Sequence, residues 1–203
     1  AELLAGDEVL AFGDNGPAGD HLAGIMYAAP TLGSTNAERF FALSICGARQ
    51  RLYITNAYFI PDDDFRRFLG QAVARGVDVR VMVPSAEASD MPLVQHAAHR
   101  NFAKLLRCGV RIFENSRTLL HQKVMTVDGA WCAIGSTNFD DRAFEINDEI
   151  TIGFLDGALA RELEAIFERD LRDCVELELN SWAKRDFFHR LKDQFFYLFN
   201  EQL

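Results

Sequence analysis

The sequence predicts an α/β fold in which helices flank a mixed β-sheet on both faces. Three observations carry this. Apolar strands alternate with amphipathic helices between Leu52 and Phe113, the pattern of parallel strands joined by crossover helices. Glycine punctuates the ends of those helices, at Gly76 and Gly109. Further on, Asp128-Gly129-Ala130 separates two apolar runs. Asp-Gly between strands signals a hairpin, so antiparallel pairing joins the parallel set.

The elements follow in order. Val9–Phe12 is apolar and short enough to be a strand, and Gly13–Gly19 reads as a loop. His21–Pro30 stays ambiguous. Ser34 or Asn36 can cap a helix over Ala37–Ala48, with Phe40, Leu43 and Gly47 along one face. Leu52–Asn56 alternates as a strand and leaves through the loop Ala57–Pro61. Asp62–Arg75 is an amphipathic helix with acidic residues in its first turn and Phe65, Phe68, Leu69 and Val73 inward. Val77–Val83 is a strand, Pro84–Pro92 a polar loop, Val94–Cys108 a helix and Val110–Phe113 a strand. Lys123–Val127 and Trp131–Gly135 form the hairpin. Glu149–Phe154 is one more strand and Ala158–Asp173 a charged helix.

The chain has 203 residues, 49% hydrophobic and 25% charged, an ordinary balance for one domain with a real core. A net charge of −9 counts against a non-specific nucleic-acid binder, which usually carries a basic face. Cys46, Cys108, Cys132 and Cys174 lie far apart, with no C-x-x-C pair and no Cys/His cluster of zinc spacing. Four buried free thiols in a reducing compartment are expected. No run reaches the roughly 18 apolar residues a membrane span needs. The chain opens on Ala1 rather than methionine and shows no secretory leader, as a segment of a longer chain would.

Chemistry concentrates in His121-Gln-Lys123-Val-Met-Thr-Val-Asp128, then six residues, then Gly135-Ser136-Thr-Asn138. On a strand, His121 and Lys123 point to the same face. The hairpin returns the Gly135–Asn138 turn beside them. One patch thereby collects an imidazole, an ammonium, a hydroxyl and a carboxamide, a set suited to a phosphodiester. The ammonium and the neutral donors can hold non-bridging oxygens. An imidazole can attack phosphorus or protonate a departing alkoxide. Gly135 lets the backbone approach a phosphate closely. This chemistry needs no metal and no cofactor, and no carboxylate cluster is present to bind a metal.

The pattern H-x-K-x(4)-D-x(6)-G-S-x-N resembles the signature of the phospholipase D superfamily. The likeness continues in Asn56-Ala-Tyr58-Phe-Ile-Pro61-Asp62, in Gly76-Val-Asp-Val-Arg80, in Ser89-Asp-Met-Pro-Leu93 and in Asn138-Phe-Asp140-Asp-Arg142-Ala-Phe144-Glu-Ile-Asn147-Asp-Glu149. These stretches look like bacterial cardiolipin synthases over Arg51–Asp173. One departure is Ala143, where those enzymes usually carry Ser. The resemblance implies a phospholipase-D-type mixed sheet and a catalytic set of His121, Lys123, Asp128 and Glu149. In that set His121 is the catalytic histidine and Lys123 the phosphate clamp, with Ser136 and Asn138 completing the phosphate pocket. Asp128 is the turn and hydrogen-bond member rather than an acid catalyst. Glu149, 28 residues past His121, stands where family members place an acid that orients a catalytic imidazole.

Superfamily sites pair two such motifs, and this chain has one. His21, His96, His99 and His189 have no Lys two residues on and no Gly-Ser-x-Asn partner. The resemblance therefore implies the C-terminal half of a cardiolipin synthase, a phosphatidyltransferase drawing on phosphatidylglycerol through a phosphohistidine intermediate. Its partners are a phospholipid substrate and either the N-terminal half of the same enzyme or a second identical subunit. Residues 1–176 form the catalytic half-domain and 177–203 an amphipathic tail. In the tail, Trp182, Phe188, Leu191, Phe195 and Leu198 fall on one face, with Lys184, Arg185, Arg190 and Lys192 elsewhere. That pattern suits a helix lying in a membrane interface, and the resemblance implies a peripheral place on the cytoplasmic side of the bacterial cytoplasmic membrane. The alternatives are a homodimeric phosphodiesterase or nuclease and a non-catalytic membrane-docking half.

Overall fold

The computed structural model describes residues 19–29 and 36–183. One eight-stranded sheet organises them, with strands in the order β1-β7-β6-β5-β2-β3-β4-β8. The strands are β1 (Leu22–Ala28), β2 (Arg51–Asn56), β3 (Asp78–Pro84), β4 (Arg111–Asn115), β5 (Lys123–Val127), β6 (Trp131–Gly135), β7 (Glu149–Leu155) and β8 (Cys174–Glu176). β2, β3 and β4 pair in parallel, and every other pair is antiparallel. The mixed sheet expected from the sequence is therefore present.

Helices α1 (Asn36–Gly47), α2 (Asp63–Ala74) and α3 (Pro92–Arg107) contact one another in sequence and form a layer on one face. α5 (Gly157–Asp170) packs on the other, over β2, β5 and β6. Alternation along β2 explains the split. Leu52 and Ile54 join the large core under α1, α2 and α3, whereas Tyr53 stacks at 4.8 Å on Phe167 of α5. α2 starts on Asp62, whose carboxylate accepts from the Phe65 amide at 2.7 Å.

Several elements differ from the sequence expectation. His21–Pro30 contains the edge strand β1, whose small residues and loss of clean alternation hid it. On α1 the inward residues are Ala37, Phe41 and Ile45, while Leu43 is 74% exposed. Phe40, Leu43 and Gly47 trace a neighbouring stripe; spacing alone fixes the period of a helix but not which of two adjacent apolar stripes faces inward. The short helix α4 (Asp141–Glu145) and strand β8 follow no periodic signal. α5 ends at Asp170 in a 3₁₀ turn, Leu171–Asp173. The cysteines are free, but only Cys132 is buried; Cys46 and Cys108 are exposed and Cys174 is intermediate. The core continues past residue 177, because Trp182 of α6 (Leu179–Ala183) packs on Phe102 at 5.6 Å. The strand expected at Val9–Phe12, the Ser34 cap and the tail residues beyond 183 lie outside the described residues.

Asp128 takes its place in this framework rather than beside the histidine. It sits at the opposite end of β5 from Lys123, roughly 17 Å of strand away. Its backbone is left-handed, φ 55°, and Gly129 follows at φ 61°, as the hairpin turn requires. Its carboxylate accepts from the amides of Arg49, Gln50 and Arg51 at 2.9, 2.8 and 2.9 Å, tying the entry of β2 to the hairpin. Burial raises the pKa of this carboxyl, but the three amide donors outweigh it, and the net direction is down.

Asp128→Ala removes one acceptor and leaves three amides short of a partner. It is expected to cost about 2–4 kcal/mol in denaturant unfolding, since bonds to charged groups contribute more than neutral ones. The depressed carboxyl adds stability that is present above its ordinary pKa near 3.8 and lost as pH falls through the folded value. Wild-type-like acid unfolding of the variant would contradict this.

Candidate active site

The motif residues meet at the end of the sheet where the parallel strands β2, β3 and β4 finish. Asn56 closes β2 and pairs with Lys123, the first residue of β5. Gly135 closes β6 opposite Thr151 of β7. A Cβ at Gly135 would collide with Thr151 and with the Ile150 carbonyl, so only glycine lets β6 lie this close to β7. Ser136 follows and is bound on both sides: its amide donates to the Ile150 carbonyl at 2.9 Å, and the Ile150 amide donates to its hydroxyl at 3.0 Å.

Asn56 fixes the next turn. Its amide donates to the Thr137 carbonyl at 3.3 Å, and its carbonyl accepts from the amides of Tyr58 and Phe139 at 3.2 and 3.3 Å. Phe59 and Phe139 then pair as a short parallel bridge. The Tyr58 loop and the Ser136–Asn138 loop are thereby joined beneath the site. Asn138 Oδ1 is buried and has no hydrogen-bond partner. A buried carboxamide oxygen without a partner can serve a ligand.

His121 lies just before β5 with its side chain 53% exposed. Lys123 Nζ is 3.0 Å from His121 Nδ1, 3.2 Å from Nε2 and 3.1 Å from the His121 carbonyl. The two same-face residues expected from the motif thus touch. Asp90, in the loop after β3, brings Oδ2 to 3.5 Å from His121 Nε2. Its other oxygen accepts from the Tyr58 hydroxyl at 2.9 Å. The Tyr58 ring stands edge-on to His121 at 5.9 Å and lies 5.7 Å from the Lys123 ammonium. Tyr58 and Asp90 are the site residues that sequence reasoning did not single out. Both sit in stretches quoted for their family likeness, yet no spacing rule links positions 58, 90 and 121.

Glu149 stands elsewhere than expected. It is buried at the start of β7 and accepts from the Ser136 hydroxyl, in a short contact, and from the Asn147 amide at 3.4 Å. None of its hydrogen bonds goes to His121. Its carboxylate instead shares the field around Lys123 with Asp90 and Asp140. Burial lowers the Lys123 pKa, and these three carboxylates pull against that without reversing it. Burial likewise raises the Tyr58 hydroxyl, aided by its bond to Asp90. Asp140 caps α4, accepting from the Ala143 amide at 2.7 Å. Burial pushes its carboxyl up to about 6, the cap bond pulls down, and the negative charge of Glu149 adds to the rise.

A mixed sheet between helical layers, with His121 and Lys123 touching at the head of β5, has the phospholipase-D-type architecture. Residues 43–171 match the family described as cardiolipin synthase, PLD-like domain. The chain belongs to that family. It is 34% identical over 176 residues to "Probable cardiolipin synthase YwiE" of Bacillus subtilis, covering 87% of this chain and 35% of the relative. It is 32% identical over 186 residues to cardiolipin synthase A of Proteus mirabilis, covering 92% and 38%. The chain therefore spans just over a third of the length of these relatives. Two solved structures share the fold. Nuc of Salmonella typhimurium, a phospholipase D family member, superposes with a TM-score of 0.64 at 19% identity, covering 78% of this chain and 99% of that one. Phosphatidylserine synthase of Haemophilus influenzae gives 0.70 at 14%, covering 89% and 45%.

Asp140 gives a pH test. A buried carboxyl held near 6 contributes stability that is complete below the ordinary Asp value and lost as pH rises through the folded one. Wild-type stability is expected to fall between about pH 4 and pH 6 by on the order of 2–3 kcal/mol from this group. Asp140→Asn keeps a cap acceptor and should flatten that slope. An unchanged slope in urea titrations across this range would refute the assignment.

Proposed function

We propose that this chain supplies one half-site of a phosphatidyltransferase of cardiolipin synthesis. The supporting observation is the contact of a single imidazole, His121, with Lys123, whose ammonium also feels Glu149, the acceptor of the Ser136 hydroxyl. The charge around Lys123 supports the same reading. One partly desolvated ammonium faces Asp90, Glu149 and Asp140, a poor balance for holding an anionic phosphodiester alone. A second half with its own His-x-Lys strand would add the missing cation as well as the missing imidazole.

In this reading His121 is the general acid and the partner imidazole the nucleophile. The partner nitrogen attacks the phosphorus of phosphatidylglycerol, and the bond from phosphorus to the glycerol oxygen breaks. His121 gives its proton to that departing oxygen. The phosphatidyl group now rests on the partner histidine. A hydroxyl of a second phosphatidylglycerol, or of a related lipid acceptor, gives its proton to His121 and attacks phosphorus. The phosphorus–nitrogen bond breaks, the diphosphatidyl product leaves, and both imidazoles return to their starting state. Lys123 holds non-bridging oxygens throughout, with Ser136 and Asn138 shaping the pocket and Glu149 keeping the Ser136 hydroxyl in place. The enzyme acts on membrane lipids from a peripheral position. Among the described residues no helix is long and apolar enough to cross a membrane.

His121→Ala in the full-length enzyme is expected to lower phosphatidyl transfer by the general-acid factor of ~10²–10⁴ while the melting temperature stays unchanged. Transfer measured with radiolabelled phosphatidylglycerol checks it, and wild-type turnover by the purified variant sinks the reading. The homodimeric alternative separates cleanly. It requires activity from the isolated 203-residue chain that falls on dilution below the dimer dissociation constant, whereas the half-site reading requires none.

A further inference from the structure

Of the three carboxylates around Lys123, two are engaged by their own neighbours. Glu149 accepts from the Ser136 hydroxyl and the Asn147 amide, and Asp140 caps α4. Asp90 differs. Its Oδ1 accepts from the Tyr58 hydroxyl at 2.9 Å. Its Oδ2 faces His121 Nε2 at 3.5 Å, too long for a hydrogen bond to nitrogen. Among the described residues Oδ2 accepts no hydrogen bond. The carboxylate is nonetheless held in place. Burial, and then the bond to Asp90, raise the Tyr58 hydroxyl far above its ordinary value, so it stays protonated and stays a donor. The Tyr58 amide is fixed in turn on Asn56, which also grips the Ser136–Asn138 loop. A fixed carboxylate beside an exposed imidazole, with one oxygen unused, is an acceptor waiting for a donor.

We propose that Asp90 selects a hydroxylated headgroup, accepting a hydrogen bond from the free hydroxyl next to the oxygen that His121 protonates. The proposal rests on the half-site reading above and names what that site recognises in its lipid. A carboxylate repels the phosphodiester itself, so it belongs on the neutral side of the substrate, the alcohol. His121 marks that side, because its proton goes to the departing glycerol oxygen. In phosphatidylglycerol a free hydroxyl sits on the neighbouring carbon. A carboxylate oxygen 3.5 Å from the imidazole is within its reach. The hydroxyl can donate, and Oδ2 can only accept. Hydrogen bonds to a charged acceptor are also the stronger kind. Asp90 itself takes no proton and forms no covalent bond in either step. In the second step the incoming glycerol brings a like pair of hydroxyls, one to His121 and the other to Asp90. One residue thereby reads both lipids. An ammonium headgroup is the other chemistry that suits a carboxylate. The Lys123 ammonium already lies 3.0 Å from the same imidazole and would repel a second cation, which leaves the neutral diol.

The test compares two donors in the full-length enzyme: phosphatidylglycerol, and phosphatidylpropanol, whose headgroup has no free hydroxyl. Single-turnover release of labelled glycerol or propanol reads the first step alone. The ratio of the two rates cancels whatever a substitution does to His121 or to the fold. Wild type should favour phosphatidylglycerol by ~10–100-fold, the size of one hydrogen bond to a charged acceptor. Asp90→Ala should bring the ratio close to one. Asp90→Asn keeps the shape and an oxygen acceptor without the charge, so its ratio should fall between the two. It also keeps the comparison measurable if the alanine variant fails to fold. Both rates lowered alike, at an unchanged ratio, overturn the proposal and make Asp90 a residue that acts through His121. A wild-type enzyme without preference overturns it as well. A preference for phosphatidylethanolamine over both lipids, lost in Asp90→Ala, replaces the hydroxyl with an ammonium. The two readings fail separately. A wild-type enzyme that releases neither alcohol removes the half-site reading, and this assignment with it. Turnover of both lipids at a ratio the variants keep removes the assignment alone.

Discussion

Phe139 is the fixed point under the site. It follows Asn138 directly and is fully buried, with its ring 4.9 Å from Phe41, 5.4 Å from Phe59, 5.5 Å from Phe65 and 5.7 Å from Phe144. Those rings come from α1, from the loop after β2, from α2 and from α4. Aromatic pairs at these separations add about 0.5–1.5 kcal/mol each beyond the area they bury. The Ser136–Asn138 turn is thus one residue from the best-anchored point of the core. The Ser136–Asn138 loop owes its shape to packing below it, and the Asn56 side chain then joins it to the Tyr58 loop.

The rim above that anchor is electrostatically unfinished. Lys123 is desolvated enough to lose basicity, yet three carboxylates share its neighbourhood. Asp140 responds by holding its proton up to about pH 6, which relieves part of the repulsion with Glu149. Tyr58 holds Asp90 beside His121, so the imidazole stands between an ammonium and a carboxylate. For the proposed anionic substrate this balance calls for further positive charge.

Much of this was legible in the sequence. The alternation of strands and helices from β2 to β4 follows from hydrophobic period and glycine punctuation. The β5–β6 hairpin follows from Asp128-Gly129. The nearness of Lys123 to His121 was expected from their spacing, since residues two apart in extended chain share a face, and it holds although His121 lies just before β5. These are local rules, and local rules are readable along a chain.

Tertiary structure decided the rest. Which stripe of α1 turned inward depended on the rings it met, Phe139 and Phe144, and not on its own period. β1 became a strand because β7 offered it an edge, although its sequence alternates poorly. Glu149 went to Ser136 rather than to His121 because Gly135 lets β6 and β7 approach so closely that the hydroxyl lies against the start of β7. Tyr58 and Asp90 reached His121 from separate loops at the ends of β2 and β3. The sequence alone determined the chemical inventory and the strand that displays it. Only the tertiary structure decided which carboxylate stands beside the imidazole, because that depends on where distant loops converge, and no spacing along the chain encodes that convergence.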